Sequence, residues 1–151
     1  MIRKLSVNDL DTLLVLCQEH AEYENLPFEL SGQRERWQEL CFSESPRIYV
    51  WVYEQEGQVQ GYMSVTIDYA IWSGKPFVNM DCLYLRPTAR GHGLGRGFIE
   101  TLKAFCKQQG CTEMQWHTPP DNQLGIDFYR RIGANEKLKQ RFYLNLESDN
   151  N

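Results

Sequence analysis

Arg90-Gly91-His92-Gly93-Leu94-Gly95-Arg96-Gly97 sets four glycines at alternate positions, between an apolar stretch of β-type residues at 77–85 and an amphipathic stretch at 94–109. Glycines at a strand-to-helix junction let backbone N–H groups turn toward a ligand with no Cβ in the way. The helix start adds unpaired N–H donors and a partial positive charge of roughly half a unit. Together these features make a cradle for a diphosphate. A flexible turn chosen only for helix entry would need fewer glycines. The dinucleotide fingerprint G-x-G-x-x-G fails, because counting from Gly91 its third glycine falls on Arg96, and the loop does not follow the first strand of a βαβ unit. A P-loop fails as well, since no Gly-Lys-Ser/Thr follows.

Outward from the loop, the periodicity predicts a strand at 2–5 and cap oxygens from Ser6 to Asp9. A helix to about Tyr23 follows, with Leu10, Leu13, Leu14, Cys17 and Ala21 on one face. A second helix is expected at 31–42, ended by Pro46. Residues 48–53 and 59–67, turned at Gly57, read as an antiparallel hairpin. A turn at Ser73-Gly74-Lys75-Pro76 leads into the strand at 77–85. Beyond the loop come a helix at 94–109, a strand at 112–117, a helix at 121–132, a last strand at 141–146 and a polar tail at 147–151. This order predicts one domain over residues 1–151, an α/β sandwich around a mixed, mostly antiparallel central sheet flanked by helices.

At 151 residues the chain buries roughly 70% of its unfolded surface, enough for a core without metals or staples. Sixteen basic against twenty acidic residues give a net charge of −4, which excludes a basic nucleic-acid footprint and favours cationic or neutral partners. The five cysteines (Cys17, Cys41, Cys82, Cys106, Cys111) have neither zinc spacing nor an even count, and several lie in apolar segments. The expectation is a reduced, cytoplasmic protein with no metal and no disulfide. Residues 13–17, the longest early apolar stretch, are too short for a signal core or a membrane span.

The segment Arg90-Gly91-His92-Gly93-Leu94-Gly95 resembles the acetyl-CoA signature of the GNAT superfamily of N-acetyltransferases, Gln/Arg-x-x-Gly-x-Gly/Ala, at every fixed position. Leu83-Tyr84-Leu85-Arg86-Pro87 is similar to that family's strand ending. Asn122, then Phe128-Tyr129 and Gly133-Ala134, resemble its second signature. The likeness extends over nearly the whole chain. It implies a GNAT-like fold, acetyl-CoA as co-substrate and no metal. It further implies CoA contacts from Leu83, Tyr84, Leu85, Arg90, Gly91, His92, Gly93, Leu94, Gly95, Arg96, Asn122, Gly125 and Phe128. Within the superfamily, Ala21-Glu22-Tyr23-Glu24, Trp72-Ser73-Gly74-Lys75 and the stretch 121–134 look like the diamine and thialysine acetyltransferases. That subgroup implies a small amine as substrate and a homodimer.

Read by period two, Asp81 shares a strand face with Asn79, flanked by Phe77 and Leu83. A carboxylate there is costly unless paired, and desolvation would raise its pKa toward that of a base. The other reading is a structural acceptor. The resemblance favours a general base acting through water, because the subgroup has a catalytic Glu at this position. Tyr129 reads either as core or, by the resemblance, as the acid that protonates the departing thiolate; an unperturbed phenol is protonated at neutral pH. His92 occupies a variable loop position. His117 ends a strand and is a candidate to touch substrate. Glu19, Glu22, Glu24 and Glu29 form either a solvated face or an attraction for an ammonium group, with Glu22 and Glu24 the candidate contacts. Trp72 and Tyr69 are candidates to pack on an alkyl chain. Cys82 reads as packing.

The expected reaction is direct attack of a neutral primary amine on the thioester. Asp81 takes the proton, backbone N–H groups at 83–85 stabilise the oxyanion, and Tyr129 protonates sulfur. The alternatives are a non-catalytic CoA-sensing module and a protein or peptide N-acetyltransferase.

Overall fold

A computed structural model describes residues 1–147. Its elements are β1 (Ile2–Lys4), α1 (Leu10–Tyr23), α2 (Gln33–Phe42), β2 (Tyr49–Gln55), β3 (Gln58–Ala70), β4 (Lys75–Leu85), α3 (Leu94–Gln108), β5 (Met114–Trp116) and α4 (Gln123–Arg131). Elements β1 to β5 lie in one compact unit, Met1–Pro119, and α4 lies in a second that begins at Pro120.

The first unit is built on a sheet of order β1-β2-β3-β4-β5, antiparallel throughout except for the parallel β4–β5 pair. Short connections produce antiparallel neighbours: β2 and β3 join through Glu56-Gly57, at φ 52° and 78°, the positive pair that a two-residue hairpin demands. A parallel pair needs a crossover, and α3 supplies it. In α3 the buried residues Phe98, Ile99, Leu102, Phe105 and Cys106 fall on one helical stripe, and in α1 Leu10, Leu13 and Leu16 do the same. Ahead of α1, the Asp9 carboxylate accepts from the Ser6 backbone N–H at 2.7 Å and from both guanidinium ends of Arg3, which also reaches Glu54 at 3.0 Å. Arg3 holds the Asp9 carboxyl below the usual carboxylate range.

Strand alternation sends side chains to both faces of the sheet. Val50, Val52, Tyr62 and Tyr84 pack with Leu10, Leu13 and Leu16 of α1. Alternating with Val50 and Val52 in sequence, Tyr49 and Trp51 project the other way, their rings 4.8 and 5.0 Å from Phe105 of α3. Helices therefore cover both faces, as the sequence predicts for a sandwich. Phe98 is wholly buried in the α3 layer. Phe98→Ala should cost about 3–5 kcal/mol, read as a lowered urea midpoint with an unchanged slope.

The expected last strand at 141–146 is not formed. Phe142, Tyr143, Leu144 and Leu146 are 77–87% exposed and no ladder includes them. A strand exists only through a ladder, and no ladder among the described residues includes this segment, so its β-type composition goes unexpressed. The predicted tail at 147–151 lies outside the described residues beyond Glu147. The strand expected at 112–117 shortens to the three residues that pair with β4. All five cysteines are free, and among the described residues no helix is long and apolar enough to cross a membrane.

Candidate active site

Asp81 occupies a break in the β3–β4 ladder. Ser64 pairs with Cys82 and Val65 with Met80, so Asp81 is the extra residue of a β-bulge. The bulge overturns the simple alternation expected for β4. Tyr62, Ser64 and Thr66 share one face of β3, and their partners Tyr84, Cys82 and Asn79 share it on β4, whereas Leu83 pairs with Met63 on the opposite face. Asn79 thus joins Cys82 and Tyr84 rather than Leu83. Its amide donates to Thr66 Oγ1 at 3.4 Å. Asp81 itself is exposed, and its Oδ2 accepts from Ser64 Oγ at 3.4 Å and from the Cys82 thiol at 3.6 Å.

Pairing of β4 with β5 ends at Met80–Trp116, while β4 continues to Leu85. Beyond the bulge, the edge of β4 over Leu83, Tyr84 and Leu85 therefore has no ladder with β5, so the N–H groups that face that side can meet a ligand's carbonyl or a developing oxyanion, while the Leu85 carbonyl accepts from Arg90.

The strand leads into the glycine turn. Gly91 and Gly93 lie at φ 81° and 76°, and a Cβ built at either position meets nothing within 4 Å. Positive φ without crowding means that the glycines keep a concave backbone clear rather than ease a tight packing contact. Gly93 caps α3, and helix geometry leaves the first N–H groups from Leu94, Gly95 and Arg96 without intrahelical acceptors. This cradle fits the diphosphate of CoA. Gly93→Val would place a branched side chain in that space at a left-handed φ. Acetyl-CoA affinity should fall tenfold or more by calorimetry, in a protein whose melting curve remains cooperative.

The other predicted contacts divide by role. Arg90 does not extend along the cradle: its Nε donates to Leu85 O at 2.8 Å and its guanidinium lies over Tyr23 and Tyr84, 5.2 and 5.8 Å from the ring centres, pinning the loop to β4. His92, Arg96 and His117 are exposed. Glu19 is engaged by Arg86, which donates from Nε at 3.1 Å and Nη2 at 3.0 Å, and Glu24 by His20 at 2.6 Å. That leaves Glu22 and Glu29 as the exposed members of the acidic group. Trp72 is 99% exposed in the β3–β4 turn. About 20 Å of strand separates Lys75 from Asp81, so the fold does not bring Trp72 or Tyr69 to the bulge.

In the second unit Asn122 caps α4, its Oδ1 accepting from Gly125 N at 3.3 Å. A Cβ at Gly125 would lie 2.5 Å from Asn122 Nδ2, so this cap needs glycine there. Phe128 and Tyr129 are half-buried on α4 with rings 5.3 Å apart.

Sequence reasoning passed over His20. Its ring is 13% exposed, Nδ1 lies 2.7 Å from Tyr62 Oη, and it stacks on Tyr84 at 5.0 Å. The available signal was a histidine on the buried stripe of α1, one turn before Glu24. Burial lowers its pKa below the ordinary histidine value, opposed by Glu24 and Asp81 and aided by Arg90. Burial also pushes the Cys17 thiol up to about 11 and the Cys82 thiol up to about 12, which makes both poor nucleophiles and supports a packing role for Cys82. Among the described residues no group of three or more metal-ligating side chains assembles.

Comparison with known proteins adds to this geometry. The sequence pattern of the Acetyltransferase (GNAT) family matches residues 13–134. The chain is 27% identical over 144 residues to a thialysine N-epsilon-acetyltransferase of Bos taurus, covering 90% of this chain and 84% of that protein. The enzyme of the same name from Mus musculus is 24% identical over 151 residues, covering 95% and 88%. An aminoglycoside acetyltransferase from an uncultured soil metagenomic sample, solved with sisomicin, superposes with a TM-score of 0.81 at 21% identity, over 97% of this chain and 95% of that one. An aminoglycoside N-acetyltransferase solved with CoA superposes at 0.74 and 18% identity, over 96% and 98%.

Proposed function

Because the chain belongs to the GNAT acetyltransferase family and is an N-acetyltransferase, we propose that it transfers acetyl from acetyl-CoA to a small primary amine of polyamine or amino-acid-like character. The whole chain would work as one catalytic domain, in a cytoplasmic homodimer. Acetyl-CoA supplies an activated acyl group, and the remaining chemistry belongs to the protein. The N–H groups from Gly91 to Arg96 hold the diphosphate. Asp81 takes a proton from the ammonium form of the acceptor, through a bridging water, so that the nitrogen lone pair can attack. The open edge of β4 at Leu83–Leu85 receives negative charge as it develops on oxygen. The hydroxyl of Tyr129 gives a proton to sulfur. Glu22 and Asn79 orient the amine, with the acidic surface favouring a cation.

The observation that carries this reading is Asp81 itself, an exposed carboxylate set apart by a bulge on the strand that runs into the glycine cradle. An acetyl-CoA-dependent screen of polyamines, lysine analogues, aminoglycosides and peptides, with free-thiol detection, tests it. Turnover with a small amine is expected. Turnover with peptides alone would replace the small-amine reading, and tight CoA binding without any turnover would leave a sensing module.

A further inference from the structure

Between the Asp81 bulge and the glycine turn, β4 keeps its ladder with β3, through Met63–Leu83, Tyr62–Tyr84 and Gly61–Leu85, and has none with β5. Residues 84 to 86, at the strand's end, are each tied down by a charged side chain instead. The Tyr84 hydroxyl donates to Glu19 Oε1 at 3.3 Å. The Leu85 carbonyl accepts from Arg90 Nε at 2.8 Å. Arg86 donates to both oxygens of the same Glu19 carboxylate, from Nε at 3.1 Å and from Nη2 at 3.0 Å. On the β3 side, Tyr53 pairs with Gly61 and Glu54 with Val59, so Gln60 is the extra residue of a second bulge. Its carbonyl accepts from the Arg86 backbone N–H at 3.0 Å, and its Oε1 from Arg86 Nη1 at 3.4 Å.

Glu19 is the common point. From α1, one carboxylate grips the residues on both sides of Leu85. A guanidinium fork on a carboxylate fixes direction as well as distance, because its two N–H···O bonds run in parallel. Both members of the pair are half-buried. Ion pairs near the surface add little to stability, so the consequence of this one is geometric. We propose that Glu19 and Arg86 are positioning residues for acetyl transfer. Together they hold the end of β4 so that its open N–H groups meet the pantetheine carbonyls of acetyl-CoA and the oxyanion. The inference rests on the acetylation reading above. It also separates Glu19 from the acidic residues that attract the amine, since both of its oxygens already have donors.

An open edge needs such support. A strand inside a sheet is fixed by ladders on both sides, and this stretch of β4 has one. The window for a donor to an oxyanion is narrow, about 2.7–3.1 Å. A misplacement of about 1 Å can cost ~10²-fold in rate. The anchor from α1 supplies across the face of the sheet the restraint that β5 does not supply along its edge. Neither Glu19 nor Arg86 touches the reacting atoms, and both act through the backbone of β4.

The test uses the full chain as wild type, Glu19→Gln, Arg86→Gln and the double variant. Calorimetry gives the affinities for acetyl-CoA and for adenosine diphosphate, and turnover of one good amine gives kcat. Adenosine diphosphate brings a diphosphate to the glycine cradle and no pantetheine chain to the edge. Each single variant should weaken acetyl-CoA binding about tenfold, the worth of about one hydrogen bond, and leave adenosine diphosphate at its wild-type affinity. Each should also lower kcat about tenfold or more. The double variant should lose no more than either single one, because the two side chains act as one fork. Arg86→Lys keeps the charge without the fork; it should show the same split at smaller size, and it serves where a glutamine variant does not fold. Equal losses for the two ligands, additive losses in the double variant, or a lowered melting temperature with affinities and kcat unchanged would overturn the positioning role. An active wild type without the split overturns that role alone. A wild type that acetylates no amine overturns the acetylation reading, and the split in affinity then decides by itself whether Glu19 and Arg86 position the edge.

Discussion

Tyr129→Phe is expected to lower kcat by about 10²–10⁴-fold, the usual worth of a positioned general acid, while acetyl-CoA affinity and the melting temperature stay near wild type. The change removes one hydroxyl from a half-buried ring whose apolar neighbour is Phe128, so the packing of α4 is retained. A leaving thiolate with no proton donor must depart as the anion, and the penalty falls on the chemical step. Single-turnover measurement with a saturating amine isolates that step. A wild-type rate there would reassign Tyr129 to the core.

Asp81→Asn should reduce kcat/KM about 10²-fold or more at pH 7 and lose most of that penalty by pH 9.5. The sign follows from the acceptor: at neutral pH the amine is an ammonium ion and needs a base, whereas in alkali the free amine is abundant. The amide retains an oxygen for the Ser64 hydroxyl and the Cys82 thiol to donate to, so stability should change by less than about 1 kcal/mol. A structural carboxylate would behave oppositely, with a lowered melting temperature and a rate penalty that stays constant with pH. Profiles of the two proteins at pH 7 and 9.5 decide between them.

The glycine loop was legible in the sequence because its chemistry is local: alternate glycines at a strand-to-helix junction need no distant partner to be understood. The sandwich was legible for a similar reason, since the stripes of α1 and α3 and the Gly57 turn announce their own elements. The bulge at Asp81 was not. A period-two reading assumes an unbroken ladder, and the extra residue shows only when Ser64 and Val65 are paired with Cys82 and Met80. His20 was passed over because its meaning comes from Tyr62, forty-two residues away. The failed strand at 141–146 shows the converse error, a composition that favours pairing in a segment that no ladder of the described residues includes.

The bulge also separates what residue 81 does from what holds the fold together. A residue with no cross-strand neighbour bears no ladder register, so aspartate, glutamate or alanine can stand there at little cost to folding. Removing the position altogether would spare the sheet as well. A one-residue deletion would heal the ladder and leave every other side chain on its present face, since Cys82 and Met80 already stand opposite Ser64 and Val65 as neighbours in a regular ladder would. Position 81 should therefore tolerate a change of letter and even its own loss, a combination that lets selection retune basicity and reach at one point while the reading frame of the sheet stays locked.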